Sequence, residues 1–160
     1  MEEKIRKPQL FVAEYPTGLD EKLQDFEKTV MLQQRPSVET KFVGIVGSGG
    51  VGKTTLALEF FNRNRSAYRG SCLLEDVRAE TSLISVQNKL LQRLTSRDLT
   101  VSNIVEGKSE LSHRLLGYKA LVILDDINDS RQLKALFSPL KDILSSDSLI
   151  LLTSRNRDFL

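Results

Sequence analysis

What this sequence lacks narrows it first. A single cysteine, Cys72, excludes a disulfide within the chain and favours a reducing compartment. Cys72 lies in an apolar run, where a small buried hydrophobe is expected rather than a nucleophile. A single histidine, His113, offers no metal-binding cluster, so a surface or helix-face histidine is expected. The net charge is only +2, which gives no reason to expect a nucleic-acid partner or a membrane surface. No run approaches the roughly 18 apolar residues of a membrane span. The start, Met1-Glu2-Glu3-Lys4-Ile5-Arg6-Lys7-Pro8, is charged and has no apolar centre of signal-peptide type. No internal repeat and no low-complexity tract is present. Together these absences lead to the expectation of an intracellular, cytoplasmic protein.

What is there is ordinary in bulk and specific in detail. With 160 residues, 40% hydrophobic and 28% charged, the chain can build one domain with a real core. Its most specific stretch is Gly47-Ser48-Gly49-Gly50-Val51-Gly52-Lys53-Thr54-Thr55. That stretch fits G-x-x-x-x-G-K-[ST], the phosphate-binding loop. Phe42 to Val46 before it read as a strand, and Leu56 to Phe61 after it read as a helix. The chemistry follows from the residue types. Glycines let backbone N–H groups curl around phosphates without Cβ clashes. The helix start adds unpaired donors and the positive end of its dipole. Lys53 supplies a point charge for the β- and γ-phosphate oxygens. Thr54 offers a hydroxyl to Mg²⁺. The bland alternative is a glycine-rich turn before a helix.

The rest of the chain reads in order around that loop. Residues 1 to 18 are expected to be an extended lead-in, punctuated by Pro8, Pro16 and Gly18. Asp20 can cap a helix from about Glu21 to Leu32. The lead-in and helix, 1–40, are set apart from a nucleotide-binding unit at 41–160. The phosphate-loop helix is expected to end near Asn64. Arg63, Arg65 and Arg69 cluster there, where cations ordinarily complement a helix dipole. Gly70 to Glu75 read as a strand. Residues 82 to 97 are amphipathic, with Leu83, Val86, Leu90 and Leu94 at helical spacing. Residues 98 to 107 read as a loop, with Leu99, Val101 and Ile104 as anchors. A helix is expected from Lys108 to Leu116, stopped by Gly117.

A second chemical signal follows. Ala120-Leu121-Val122-Ile123-Leu124 is a continuous apolar run, as expected of a strand covered on both faces. It ends in Asp125-Asp126, where ligands bind in open α/β sheets. Asp125 takes the place of the aspartate that handles Mg²⁺ in P-loop NTPases. Asp126, one residue on, could orient or deprotonate a water that attacks the γ-phosphate. The alternative is that Asp126, Asn128 or Asp129 simply starts a helix at about Arg131 to Leu136. A last buried-type strand, Leu149 to Thr153, leads into Ser154 and Arg155. Thr153 and Arg155 either probe the γ-phosphate or are ordinary strand-exit chemistry.

Three segments therefore stand in order: Gly-Ser-Gly-Gly-Val-Gly-Lys-Thr-Thr, Leu-Val-Ile-Leu-Asp-Asp-Ile and Leu-Leu-Thr-Ser-Arg-Asn-Arg-Asp. Together they resemble the NB-ARC nucleotide-binding domain of plant NLR disease-resistance proteins. Ser71 to Arg78 resembles the block of TIR-linked members. Gln132 to Leu136 and Tyr15 to Asp20 resemble two further family stretches. Leu19 departs from the family's common arginine, and Asn128 from its usual tryptophan or aspartate.

The resemblance implies an ADP/ATP switch in defence signalling, with at most slow ATP hydrolysis. It implies that Gly47, Gly49, Gly50, Val51, Gly52, Lys53, Thr54, Thr55 and Arg155 bind nucleotide. It places Mg²⁺ at Thr54 and Asp125, and a catalytic role at Asp126. Other domains or NLR proteins are the partners it implies. The fold implied is an α/β P-loop NTPase, three αβα layers with a mainly parallel sheet in strand order 1-4-3-2. A family strand 5 is not found before Leu160, so the phosphate-loop strand is expected at an open edge, with weakened nucleotide binding. Two other readings stand beside this one. One is an active ATPase of another STAND or AAA-like class. The other is a non-catalytic interaction fragment that docks through the open edge.

Overall fold

The computed structural model describes residues 9–12, 24, 27–28, 40–46, 51–75, 82–127 and 140–155. Its strands are β1 (Gln9–Val12), β2 (Lys41–Val46), β3 (Gly70–Leu74), β4 (Ala120–Leu124) and β5 (Leu149–Ser154). Its helices are α1 (Val51–Asn64), α2 (Leu83–Thr95) and α3 (Ile104–Arg114). All strands pair in parallel, in the order β1-β2-β5-β4-β3. The strands β2, β5, β4 and β3 reproduce the expected order 1-4-3-2.

The parallel arrangement follows from the sequence. Helices between strands cover both sheet faces, so the strands must be apolar on both sides. Every residue of β4 is buried. Leu121 and Ile123 face one way, into a cluster with Leu56, Ala57, Phe60 and Phe61 of α1. Ala120, Val122 and Leu124 face the other way, onto Val86, Leu90, Leu91 and Leu94 of α2 and Leu111 of α3. Each of the larger side chains, leucine, isoleucine, valine or phenylalanine, is worth about 1.5–3 kcal/mol when removed from water, so the two clusters fix the three layers. This packing aligns the C-terminal ends of β2, β4 and β5, and the site lies along that rim.

The edge differs from expectation. The phosphate-loop strand β2 is not open on its outer side. Gln9–Val12 pairs with it in parallel, from Gln9 opposite Val43 to Val12 opposite Val46. The lead-in therefore contributes a strand. Four residues with proline on both sides gave no alternation long enough to identify it as one. The interaction-fragment reading placed that edge on β2; in the sheet the outer strand on that side is β1.

Two helices shift at their boundaries. α2 keeps its expected face, with Val86, Leu90, Leu91 and Leu94 buried. α3 begins at Ile104, earlier than the expected Lys108. Asn103 caps it, its Oδ1 accepting from the Glu106 N–H at 2.8 Å. Glu106 in turn accepts from the Ser102 N–H at 3.1 Å, close to a capping box. Gly117 follows the helix at φ 76° and donates its N–H to the Ile143 carbonyl. Of the helix expected at 21–32, Gln24, Glu27 and Lys28 are helical and the rest lies outside the described residues. The helix expected at 131–136 also lies outside them.

Candidate nucleotide-binding site

Helix α1 begins at Val51, next in sequence after Gly50 of the phosphate loop, and carries Lys53, Thr54 and Thr55 in its first turns. Strand β4 ends at Leu124 and delivers Asp125 to the same rim. Strand β5, between β2 and β4, delivers Thr153, Ser154 and Arg155.

Asp125 is the centre of the arrangement and is only 5% exposed. Its backbone N–H donates to the Leu74 carbonyl at 2.8 Å, which ties it to β3. The Thr54 hydroxyl contacts Asp125 Oδ2 at 3.0 Å and Oδ1 at 3.2 Å. The Thr153 hydroxyl donates to Oδ1 at 2.5 Å. A buried carboxylate carries a desolvation cost on the order of several kcal/mol. Two hydroxyl donors and the positive end of α1 offset that cost. Hard cations favour oxygen ligands. A carboxylate and a hydroxyl in contact at the start of a phosphate-loop helix fit Mg²⁺.

Asp126 has φ 63°, in the left-handed region. That conformation costs an aspartate roughly 1–2 kcal/mol. Two hydrogen bonds hold it. The Asp126 N–H donates to Thr153 Oγ1 at 2.7 Å, and the Ile127 N–H donates to the Thr153 carbonyl at 2.9 Å. A helix N-cap is normally extended, so this backbone weighs against Asp126 as a simple cap. Asn128 and Asp129, the other cap candidates, lie outside the described residues. Arg155 Nε lies 3.8 Å from Asp126 Oδ1, a loose ion pair.

Lys53 is 3% exposed. Burial lowers its ammonium below the usual lysine value, and the Arg155 charge lowers it further. Asp126 and Asp125 pull in the opposite direction. Lys53 therefore sits among the same groups that the strands bring together.

Lys53, Thr54, Asp125, Asp126 and Arg155 thus converge on one rim. Thr55 is half-buried in the same helical turn. Val51 and Gly52 open α1, while Gly47, Gly49 and Gly50 lie outside the described residues. Thr153 was visible in the sequence only as a possible phosphate probe. Its contacts run to both aspartates, and a hydroxyl residue ending a buried strand beside Asp-Asp was the available signal. Among the described residues no group of three or more His, Cys, Asp or Glu side chains is arranged to hold a metal. His113 is exposed on α3. Cys72 is buried, and its thiol is pushed up to about 12 by that burial, against a smaller opposite effect of Arg93.

The strand–loop–helix unit, the parallel order and the Thr54–Asp125 pair define a P-loop NTPase fold. Within that class the family is specific. The NB-ARC domain model matches residues 23–159, and the chain belongs to that family of nucleotide-binding domains. It is similar to disease resistance-like protein DSC1 of Arabidopsis thaliana, at 34% identity over 87% of this chain and 12% of that protein. It is also similar to TMV resistance protein N of Nicotiana glutinosa, at 32% identity over 96% of this chain and 14% of that protein. Disease resistance protein RPV1 of Vitis rotundifolia matches at 28% identity over 89% of the chain and 10% of its own length. The chain thus spans about an eighth of the length of these relatives.

Proposed function

We propose that this chain is the ADP/ATP-binding switch module of a plant NLR-type immune receptor, acting in defence signalling. The observation that carries the reading is the Thr54–Asp125 contact beside buried Lys53, at the N-terminus of the helix that follows the glycine loop. The names of the relatives supply the defence setting. In this reading Gly47, Gly49, Gly50, Val51, Gly52 and Thr55 present backbone and hydroxyl donors to the phosphates. Lys53 neutralises the β- and γ-oxygens. Thr54 and Asp125 hold Mg²⁺, which screens phosphate charge when bound. Arg155 responds to the γ-phosphate, and its loose pairing with Asp126 leaves it free to reorient.

Asp126 orients the attacking water, and the hydrolysis it assists, slow in this reading, resets the switch. The test is fluorescent-ADP binding to the wild type and to Lys53→Ala. Losing a buried charge–phosphate contact is expected to weaken binding by about 50-fold. Equal binding by both, with circular dichroism showing both folded, overturns the reading. Multiple-turnover ATP hydrolysis abolished by Asp126→Asn would instead favour an active ATPase.

A further inference from the structure

We infer that Thr153 is a positioning residue that sets both aspartates of the site at once, one on the cation side and one on the water side. The inference rests on the nucleotide-site reading above and deepens it. Thr153 is 1% exposed, so its hydroxyl has no bulk water to bond. The single hydroxyl is used twice. Its proton goes to Asp125 Oδ1 at 2.5 Å, and its oxygen accepts the Asp126 N–H at 2.7 Å. The carbonyl of the same residue accepts the Ile127 N–H at 2.9 Å. Asp126, at φ 63°, is thereby bracketed by two hydrogen bonds to one residue. Neither a β-branched apolar side chain nor a backbone group alone can do this. Only a hydroxyl donates to a carboxylate and accepts from an amide at one atom.

The position of Thr153 in the sheet gives the contact reach. Its register partner on β2 is Ile45, and the next pair, Ser154 with Val46, immediately precedes the phosphate loop. Arg155 follows two residues on and pairs loosely with Asp126. Thr153 thus joins β2, the strand that leads in sequence into the loop, to the carboxylate that contacts Thr54 and to the turn that carries Asp126. A shift of β5 relative to β4 must alter both carboxylates together. An accommodating apolar core residue at this point would leave them independent.

The test compares Thr153→Val, which keeps shape and loses the hydroxyl, with Thr153→Ser, which keeps the hydroxyl. Thr153→Ala serves if the valine variant does not fold. The first readout is NMR amide exchange of Asp126 without nucleotide. It is expected to accelerate by tenfold or more in the valine or alanine variant and to stay near wild type in the serine variant. The second is fluorescent-ADP affinity with Mg²⁺ and with EDTA. The Mg²⁺-dependent gain is expected to fall by about tenfold without the hydroxyl, with affinity in EDTA unchanged and the serine variant restored. Unchanged amide exchange and an unchanged Mg²⁺-dependent gain in Thr153→Val overturn the inference. So does an equal loss in Mg²⁺ and EDTA, which marks a general packing defect. A wild type without any Mg²⁺-dependent gain refutes the cation reading of Thr54 and Asp125 instead, and amide exchange then decides the role of Thr153 by itself.

Discussion

Replacing Asp125 by asparagine should separate stability from function. The carboxylate is 5% exposed and receives hydroxyls from Thr54 and Thr153. Asparagine has the same shape. Its oxygen can still accept from Thr153, and its amide can donate to the Thr54 oxygen. Exchanging a charged acceptor for a neutral one loses about 1 kcal/mol for each of these two hydroxyl partners, so about 2 kcal/mol in all. The exchange also gives up the attraction of the charge to Lys53 and to the positive end of α1. Against these losses, the variant no longer buries an ionised group. That relief is on the order of several kcal/mol. The unliganded Asp125→Asn protein should therefore be as stable as wild type or more stable by up to about 2 kcal/mol. At about 2–4 °C per kcal/mol, that is a rise of up to roughly 8 °C in Tm. The same change removes the negative charge that complements a divalent cation. The Mg²⁺-dependent part of ADP affinity should disappear. Thermal unfolding in EDTA and ADP titrations with and without Mg²⁺ read the two effects. A Tm lowered by more than about 5 °C, or a Mg²⁺-dependent gain that survives, would refute the reasoning.

Further outcomes follow from the same structure. Lys53 holds its proton less tightly in the folded chain than at the ordinary value of 10.5. The resulting penalty on the folded state is fully present below the folded value and is relieved as pH rises through it toward 10.5, so wild type should gain stability relative to Lys53→Met over that rise. ADP affinity should move the opposite way, because phosphates need the ammonium form; affinity that increases with pH would contradict this. Cys72, with its thiol pushed up to about 12, should resist alkylation at neutral pH in the native protein and react on unfolding; rapid native labelling by iodoacetamide would show that its burial is wrong. Gly70→Ala would place a Cβ 2.5 Å from the Leu94 carbonyl oxygen, a backbone atom that cannot rotate away. Overpacking of this kind costs about 1–3 kcal/mol, so denaturant unfolding should show a lower midpoint with the slope unchanged.

How far the sequence reaches depends on how locally each feature is encoded. β4 was legible because five consecutive apolar residues have no other economical place than a strand covered on both faces. The same holds for α2, whose leucine spacing survives any context. Asp125 was legible because it ends such a strand downstream of a glycine loop. The start of α3 was not read, although Asn103 and Glu106 carry its capping signal, because the apolar residues nearby, Val101 and Ile104, resembled loop anchors. Val101 is indeed buried, whereas Ile104 is 39% exposed on the first turn of the helix. β1 was hidden for a different reason. Whether four residues become a strand is decided by the edge they meet, which lies over thirty positions away in the chain. The role of Thr153 was hidden likewise. Its partners Asp125 and Asp126 are separated from it by 28 and 27 positions, so only the sheet brings them together.

The pairing of Gln9–Val12 with Val43–Val46 has a mechanical side. Parallel strands pulled along their axes share the load across all their hydrogen bonds together, whereas strands peeled from one end break them singly. A tension applied along the N-terminal segment would load β2 in shear, and β2 runs directly into the phosphate loop. A tether on the first residues and a tether on the loop would then be ends of one force-bearing line through the sheet.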